Sequence, residues 1–122
     1  MISRKMTRTN DQRVFAENCL KADSVLERFR GLMMKDSLAT GDGLLLEPCN
    51  SIHTFFMRFD IDVVYLSKEA GSGGAGIYKV VKVCPEVRPW RMHLPVIGAR
   101  AVLELAKGGA SGLQKGDVLC LS

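Results

Sequence analysis

Ile61 to Ser67, I-D-V-V-Y-L-S, is the segment that most limits the folds open to this chain. Ile61, Val63 and Tyr65 fall on one face of an extended strand and Val64 and Leu66 on the other. A strand that is apolar on both faces needs cover on both and belongs in the centre of a sheet. Weaker strand patterns surround it: Val14 to Ala22, Leu44 to Glu47 (stopped by Pro48), Ile77 to Cys84, Ala99 to Ala106 and Val118 to Leu121. Glu69 to Gly76, E-A-G-S-G-G-A-G, has the composition of a flexible hairpin tip. Pro85 to Pro95 shows no period and carries Trp90 and His93.

One helix is expected. Ser24 and Glu27 have the spacing of a capping box, which satisfies two free backbone donors at a helix start. Val25, Leu26, Phe29, Leu32 and Met33 follow at helical spacing. The predicted fold class is α+β and β-rich. It is a small barrel-like or strongly curved, mostly antiparallel sheet packed with a main helix at about Ser24–Met34.

At 122 residues the chain is expected to hold one globular domain, residues 13–122, after a flexible basic tail over residues 1–12. Residues 1–13 carry Arg4, Lys5, Arg8 and Arg13 against Asp11, and so hold +3 of the net charge of +4. Charge placed on a tail instead of a folded patch argues against specific nucleic-acid binding. No apolar run reaches the ~20 residues of a membrane-spanning helix. The basic N-terminus has no apolar stretch after it, which argues against a signal peptide and for a cytoplasmic location. The four cysteines stand singly, without the paired spacing of structural zinc sites, and read as reduced thiols. Cys19, Cys84 and Cys120 lie in strand-like runs as small core residues.

The chemistry is concentrated in Pro48 to Asp62, P-C-N-S-I-H-T-F-F-M-R-F-D-I-D. It interleaves polar groups with Ile52, Phe55, Phe56, Met57 and Phe59, the composition of a pocket wall. Three readings follow. In the preferred one the chain is a non-catalytic binding or accessory module. His53, Thr54, Arg58, Trp90 and Arg28 then edge a cleft for an anionic small molecule or a peptide, because guanidinium forks grip carboxylates in pairs. In the second, Cys49 is a nucleophile, His53 its base and Asp62 the group that orients the imidazole, as in a small hydrolase. In the third, Cys49, His53 and Met57, spaced four and four, offer soft ligands to copper. The preferred reading needs no metal or cofactor, and its partner is an unidentified small molecule or protein. The chain itself is expected to be a monomer or a weak homo-oligomer. Asp62 has a structural alternative as an acceptor for nearby backbone N–H groups or a partner of Arg58. Glu104, flanked by apolar residues in V-L-E-L, is expected to pair with Arg28 or Arg30.

The order R-F-R-G-L-M-M-K, G-L-L-L-E-P-C-N-S-I-H-T-F-F-M-R-F-D-I-D-V-V-Y-L, P-W-R, V-L-E-L-A-K-G and G-D-V-L resembles the domain of unknown function 192 family, over about Arg13 to Leu121. Lys35, Asp60 and the long tip at 71–76 depart from its usual pattern. The resemblance implies a compact β-rich α+β domain and assigns no reaction.

Overall fold

The structure, a computed structural model, describes residues 3–22, 24, 31–69 and 76–122, with the side chain of Ser3 excepted. The described residues form seven strands: β1 (Ser3–Arg8), β2 (Val14–Ala22), β3 (Asp42–Leu46), β4 (Ile61–Lys68), β5 (Gly76–Val87), β6 (Ala101–Ala106) and β7 (Val118–Leu121). They close into a barrel in the order β1-β2-β3-β6-β4-β5-β7. Every neighbouring pair is antiparallel except β2 and β3.

Two apolar layers follow from strand alternation. Met6, Phe15, Leu45, Val64, Val80, Leu103 and Leu119 come one from each strand and fill the barrel interior. The opposite faces of β3, β4 and β6 carry Leu44, Leu46, Val63, Tyr65 and Val102 into a second cluster with Leu32, Ile52, Met57 and Ala99. The wall at β3, β6 and β4 is therefore covered from outside by the irregular segments around residues 32, 48–59 and 96–99. This is why β4 is apolar on both faces, and it places the chemistry-rich segment against the barrel.

Two expectations are corrected. The fold is all-β among the described residues, not α+β. Residues 23 and 25–30, with Glu27, Arg28, Phe29 and Arg30, lie outside the described residues. At the described end of the expected helix, residues 31–34 form turns. Gly31 has φ 48° and Met34 φ 64°, values that interrupt a right-handed helix. Nor do residues 3–8 behave as a tail. They form β1 between β2 and β7, where an unclosed sheet would leave two edges. Met6 is fully buried, and Arg8 pairs with Asp11 at 2.8 Å and Asp117 at 3.1 Å. A polar-looking stretch thus serves as a strand, with Met6 turned into the core and its backbone paired on both sides. Residues 70–75 of the predicted hairpin tip lie outside the described residues. Among the described residues no helix is long and apolar enough to cross a membrane.

Candidate functional site

The outer segment is held by a short two-stranded ribbon. His93 N–H donates to Ile52 O (2.9 Å), Val96 N–H to Asn50 O (2.8 Å) and Thr54 N–H to Arg91 O (2.8 Å), and His53 bridges to Met92. Thr54 is its anchor and is completely buried. Its hydroxyl donates to Arg88 O at 2.6 Å and accepts Arg91 N–H at 2.8 Å. Its carbonyl accepts N–H groups from Trp90 (2.9 Å) and Met57 (3.2 Å). The turn bearing Trp90 is therefore fixed to the 50–54 strand by one residue.

That anchoring presents aromatic surface. Trp90 and Phe56 both sit at left-handed φ, 65° and 64°, an uncommon setting for bulky residues. Their rings meet at 4.9 Å, and Trp90 lies 5.9 Å from Phe55, which lies 5.2 Å from the His53 ring. Trp90 is 57% exposed and Phe56 51%, and Met92 and Leu94 on the ribbon are more exposed still. Such a group of large apolar side chains left in water marks a contact surface more often than a lone exposed leucine does.

Beside His53 a cavity of about 100 Å³ opens between the segment and the barrel wall. Half-buried Gly31, Met33, Cys49, Ser51 and His53 form its mouth, and buried Leu32, Leu46, Ile52, Met57 and Glu104 its floor. The Cys49 thiol donates to Ser51 O at 2.9 Å. His53 Nδ1 accepts Phe55 N–H at 3.2 Å, which puts the neutral ring's proton on Nε2.

Glu104 sets the electrostatics. It projects from β6 on the outer face, opposite Leu44 of β3 and Val63 of β4. It is 3% exposed, and its Oε1 has no hydrogen-bond partner among the described residues. Burial, which disfavours the charged form, pushes its carboxyl up to about 8, so it is mostly protonated at neutral pH. Glu47 on the same wall shows the contrast. Burial would raise it too, but the Tyr78 hydroxyl at 2.7 Å and the ammonium groups of Lys68 at 3.1 Å and Lys21 at 3.3 Å outweigh burial and hold it below the usual range.

The sequence-predicted residues separate into groups. His53, Thr54 and Trp90 do come together, though Thr54 is consumed by backbone bonds. Arg58 points to the exposed surface and pairs with Asp36 at 2.7 Å. Arg28, with Arg30, lies outside the described residues, so the expected partner of Glu104 does too. Asp62 does not orient His53. Its Oδ1 accepts Glu86 N–H (3.0 Å) and its Oδ2 Ala110 N–H (2.9 Å), the structural role its strand-opening position suggested. Cys49, His53 and Met57 line one cavity, but through irregular backbone and not a helix. Among the described residues no three of histidine, cysteine, aspartate and glutamate are placed to hold a metal ion. Sequence reading missed Phe56, Met92 and Leu94 as exposed apolar groups. The alternation of Arg91, Met92, His93 and Leu94 was the available signal, since it marks an extended ribbon with His93 turned inward to Tyr65 Oη at 2.7 Å.

The family model DUF192, described as Uncharacterized ACR, matches residues 5–121. The chain belongs to the DUF192 family. It is similar to the UPF0127 protein of Thermococcus sibiricus, 32% identical over 91 residues, covering 71% of this chain and 53% of that protein. It is likewise similar to the UPF0127 protein of Pyrococcus horikoshii, 34% identical over 90 residues, covering 71% of this chain and 70% of that one. The chain spans about half the length of its Thermococcus relatives, 53% and 51%. This DUF192 fold resembles the crystal structure of a protein of unknown function from Novosphingobium aromaticivorans, with TM-score 0.75 and 22% identity over 96% of this chain and 82% of that one.

Proposed function

We propose that this DUF192 chain is a non-catalytic binding module whose site is the 48–62 segment with the Trp90 turn, and that it takes a peptide segment carrying apolar and acidic side chains. The observation that carries the proposal is the exposed Phe56–Trp90 ring pair, fixed in place by buried Thr54, with exposed Met92 and Leu94 on the ribbon that follows. Large rigid side chains of this kind dominate binding energy because they bury much area with little ordering to be done. The charged residues of the Trp90 turn are Arg88 and Arg91, both exposed, and they complement carboxylates on the ligand.

The thiol argues for binding over hydrolysis. The Cys49 proton is directed at a backbone carbonyl, and His53 Nδ1 is occupied by a backbone N–H. A nucleophile–base pair would direct that thiol at the imidazole.

Trp90 is the single tryptophan, so its fluorescence reports on this surface directly. Titration with peptides holding two adjacent aromatic or aliphatic residues flanked by aspartate is expected to give a saturable change. Trp90→Ala, followed by calorimetry, is expected to weaken binding by about 30-fold, the effect of losing a hot-spot residue of ~2 kcal/mol. The same variant is expected to lose less than about 1 kcal/mol of stability, because the ring is more than half exposed. Unchanged affinity in Trp90→Ala removes the proposal.

A further inference from the structure

The cavity beside His53 has a property that the aromatic surface does not explain. A pocket floor is normally apolar or fully hydrogen-bonded, because an unmet buried polar group is costly. Here a carboxyl group forms part of the floor, and its Oε1 is unmet among the described residues. The volume of about 100 Å³ is room for a small polar group on a short stem, with roughly 30 Å³ being the share of one water. The mouth is lined by half-buried residues, so a ligand end can enter.

We propose that this cavity receives a primary ammonium group, which ion-pairs with Glu104. The inference rests on the peptide-binding reading and names the part of the ligand that enters the pocket: a peptide amino terminus or a lysine side chain.

Charge selects the ammonium. No lysine or arginine among the described lining residues stands ready for an anion. Among the described residues the titratable groups facing Glu104 are Cys49 and His53 in the cavity and the Tyr65 hydroxyl of β4, while its direct neighbours on β3 and β4 are Leu44 and Val63. An entering cation converts the neutral acid into a carboxylate and releases one proton to solvent. The new pair forms in an apolar surround, where the attraction between opposite charges is poorly screened. The Ser51 side chain at the mouth is a second acceptor for an ammonium N–H. Contact with the neighbouring rim is direct, because His53 both lines the cavity and packs its ring on Phe55 beside Trp90.

The test uses ethylammonium chloride as probe, with acetate and tetramethylammonium as controls, followed by the ¹³C resonance of the Glu104 carboxyl. Ethylammonium alone is expected to bind and to move the Glu104 titration midpoint down from about 8. Its affinity is expected to rise about fifty-fold from pH 6 to pH 8, as the proton competing for the carboxylate is removed. Glu104→Gln is expected to abolish ethylammonium binding, and Ser51→Leu, which narrows the mouth and leaves the carboxyl in place, is expected to do the same. Among binding peptides, N-acetylation identifies an amino terminus as the source of the ammonium, and lysine-to-norleucine replacement identifies a side chain. Equal binding of acetate, or ethylammonium binding that is independent of pH, overturns the proposal. So does a Glu104 already ionised at pH 7 that becomes protonated in Arg28→Ala or Arg30→Ala, because its cation then comes from within the chain. Peptides that bind through Trp90 but are indifferent to both Glu104→Gln and the ammonium replacements defeat this inference alone. Ethylammonium binding without peptide binding defeats the peptide reading and leaves the pocket standing.

Discussion

Glu104→Gln is expected to flatten the pH dependence of stability, so that the difference from the parent chain changes by about 5 kcal/mol between pH 4.5 and alkaline pH. The sign follows from the raised carboxyl. Its ordinary value is 4.5 and its folded value about 8. Below pH 4.5 both folded and unfolded chains hold the proton, and Glu104 contributes no slope. Between pH 4.5 and 8 only the folded chain holds it, so stability falls by about 1.4 kcal/mol for each pH unit. Above pH 8 both states are ionised and the loss is complete. Glutamine keeps the shape and cannot ionise. Its amide carries its own penalty of about 1–3 kcal/mol where hydrogen bonds are unmet, but that penalty is independent of pH. The lowered carboxyl of Glu47 acts in the opposite direction, contributing stability that is lost as pH falls through its folded value. It is common to both proteins and cancels in the comparison. Urea unfolding at pH 4.5, 6.5 and 8.5 measures the effect. Parallel curves for the two proteins would show that Glu104 is ionised or solvated when folded.

Asp62→Ala is expected to destabilise the barrel by about 3–5 kcal/mol. The carboxylate is 2% exposed and accepts one backbone N–H on each oxygen. One donor, Glu86, lies where the β4–β5 register shifts, at φ 51°, and next to Pro85, which has no N–H to give. The other, Ala110, belongs to the turn after β6. Alanine leaves both donors unmet in the interior, at about 1.5–3 kcal/mol for each charge-assisted bond. A fall in Tm of about 10–20 °C follows for a chain of this size. Asp62→Asn, which keeps one acceptor oxygen, is expected to fall between. A loss under about 1 kcal/mol in Asp62→Ala would mean that water replaces the carboxylate, and the structural role would be withdrawn.

The legible parts of the fold were those where burial dictates a repeating pattern. β4 was clear because it is covered on both faces, inside by the barrel core and outside by the 48–59 segment. β2 and β7 match their expected ranges: β7 alternates strictly, and β2 turns Phe15, Ala16 and Cys19 into the core. β1 was hidden because Ser3 to Arg8 has one deeply buried apolar residue, Met6, among basic ones, and its pairing with β2 and β7 is long-range information. The helix was over-read at its described end. Leu32 and Met33 fit a helical stripe, but Gly31 and Met34 adopt positive φ, which no periodicity reveals.

At the site, His53, Thr54 and Trp90, expected along one surface, lie beside one another in the ribbon and its turn, and the 48–62 segment lies on the core as its mixture of apolar anchors and polar groups suggests. That mixture did not show that Thr54 is used up in holding the ribbon. The Arg58–Asp36 pair joins positions 22 residues apart on the exposed surface, and no local pattern announces it. Glu104 was conspicuous among Leu103 and Leu105. Its expected pairing with Arg28 or Arg30 came from the general rule that buried charges have partners, and both arginines lie outside the described residues. Charge state is a property of the assembled cavity, which sequence does not display.

The most direct test of the account is a backbone and indole amide chemical-shift map, recorded while an acidic peptide with two adjacent apolar residues is titrated into ¹⁵N-labelled protein. The account predicts saturating shifts at Ser51, His53, Phe56, Met92 and the Trp90 indole, with β1 and β7 unmoved. Shifts concentrated instead at the groove lined by Leu20, Lys35, Leu38 and Leu44, or none that saturate, would contradict it.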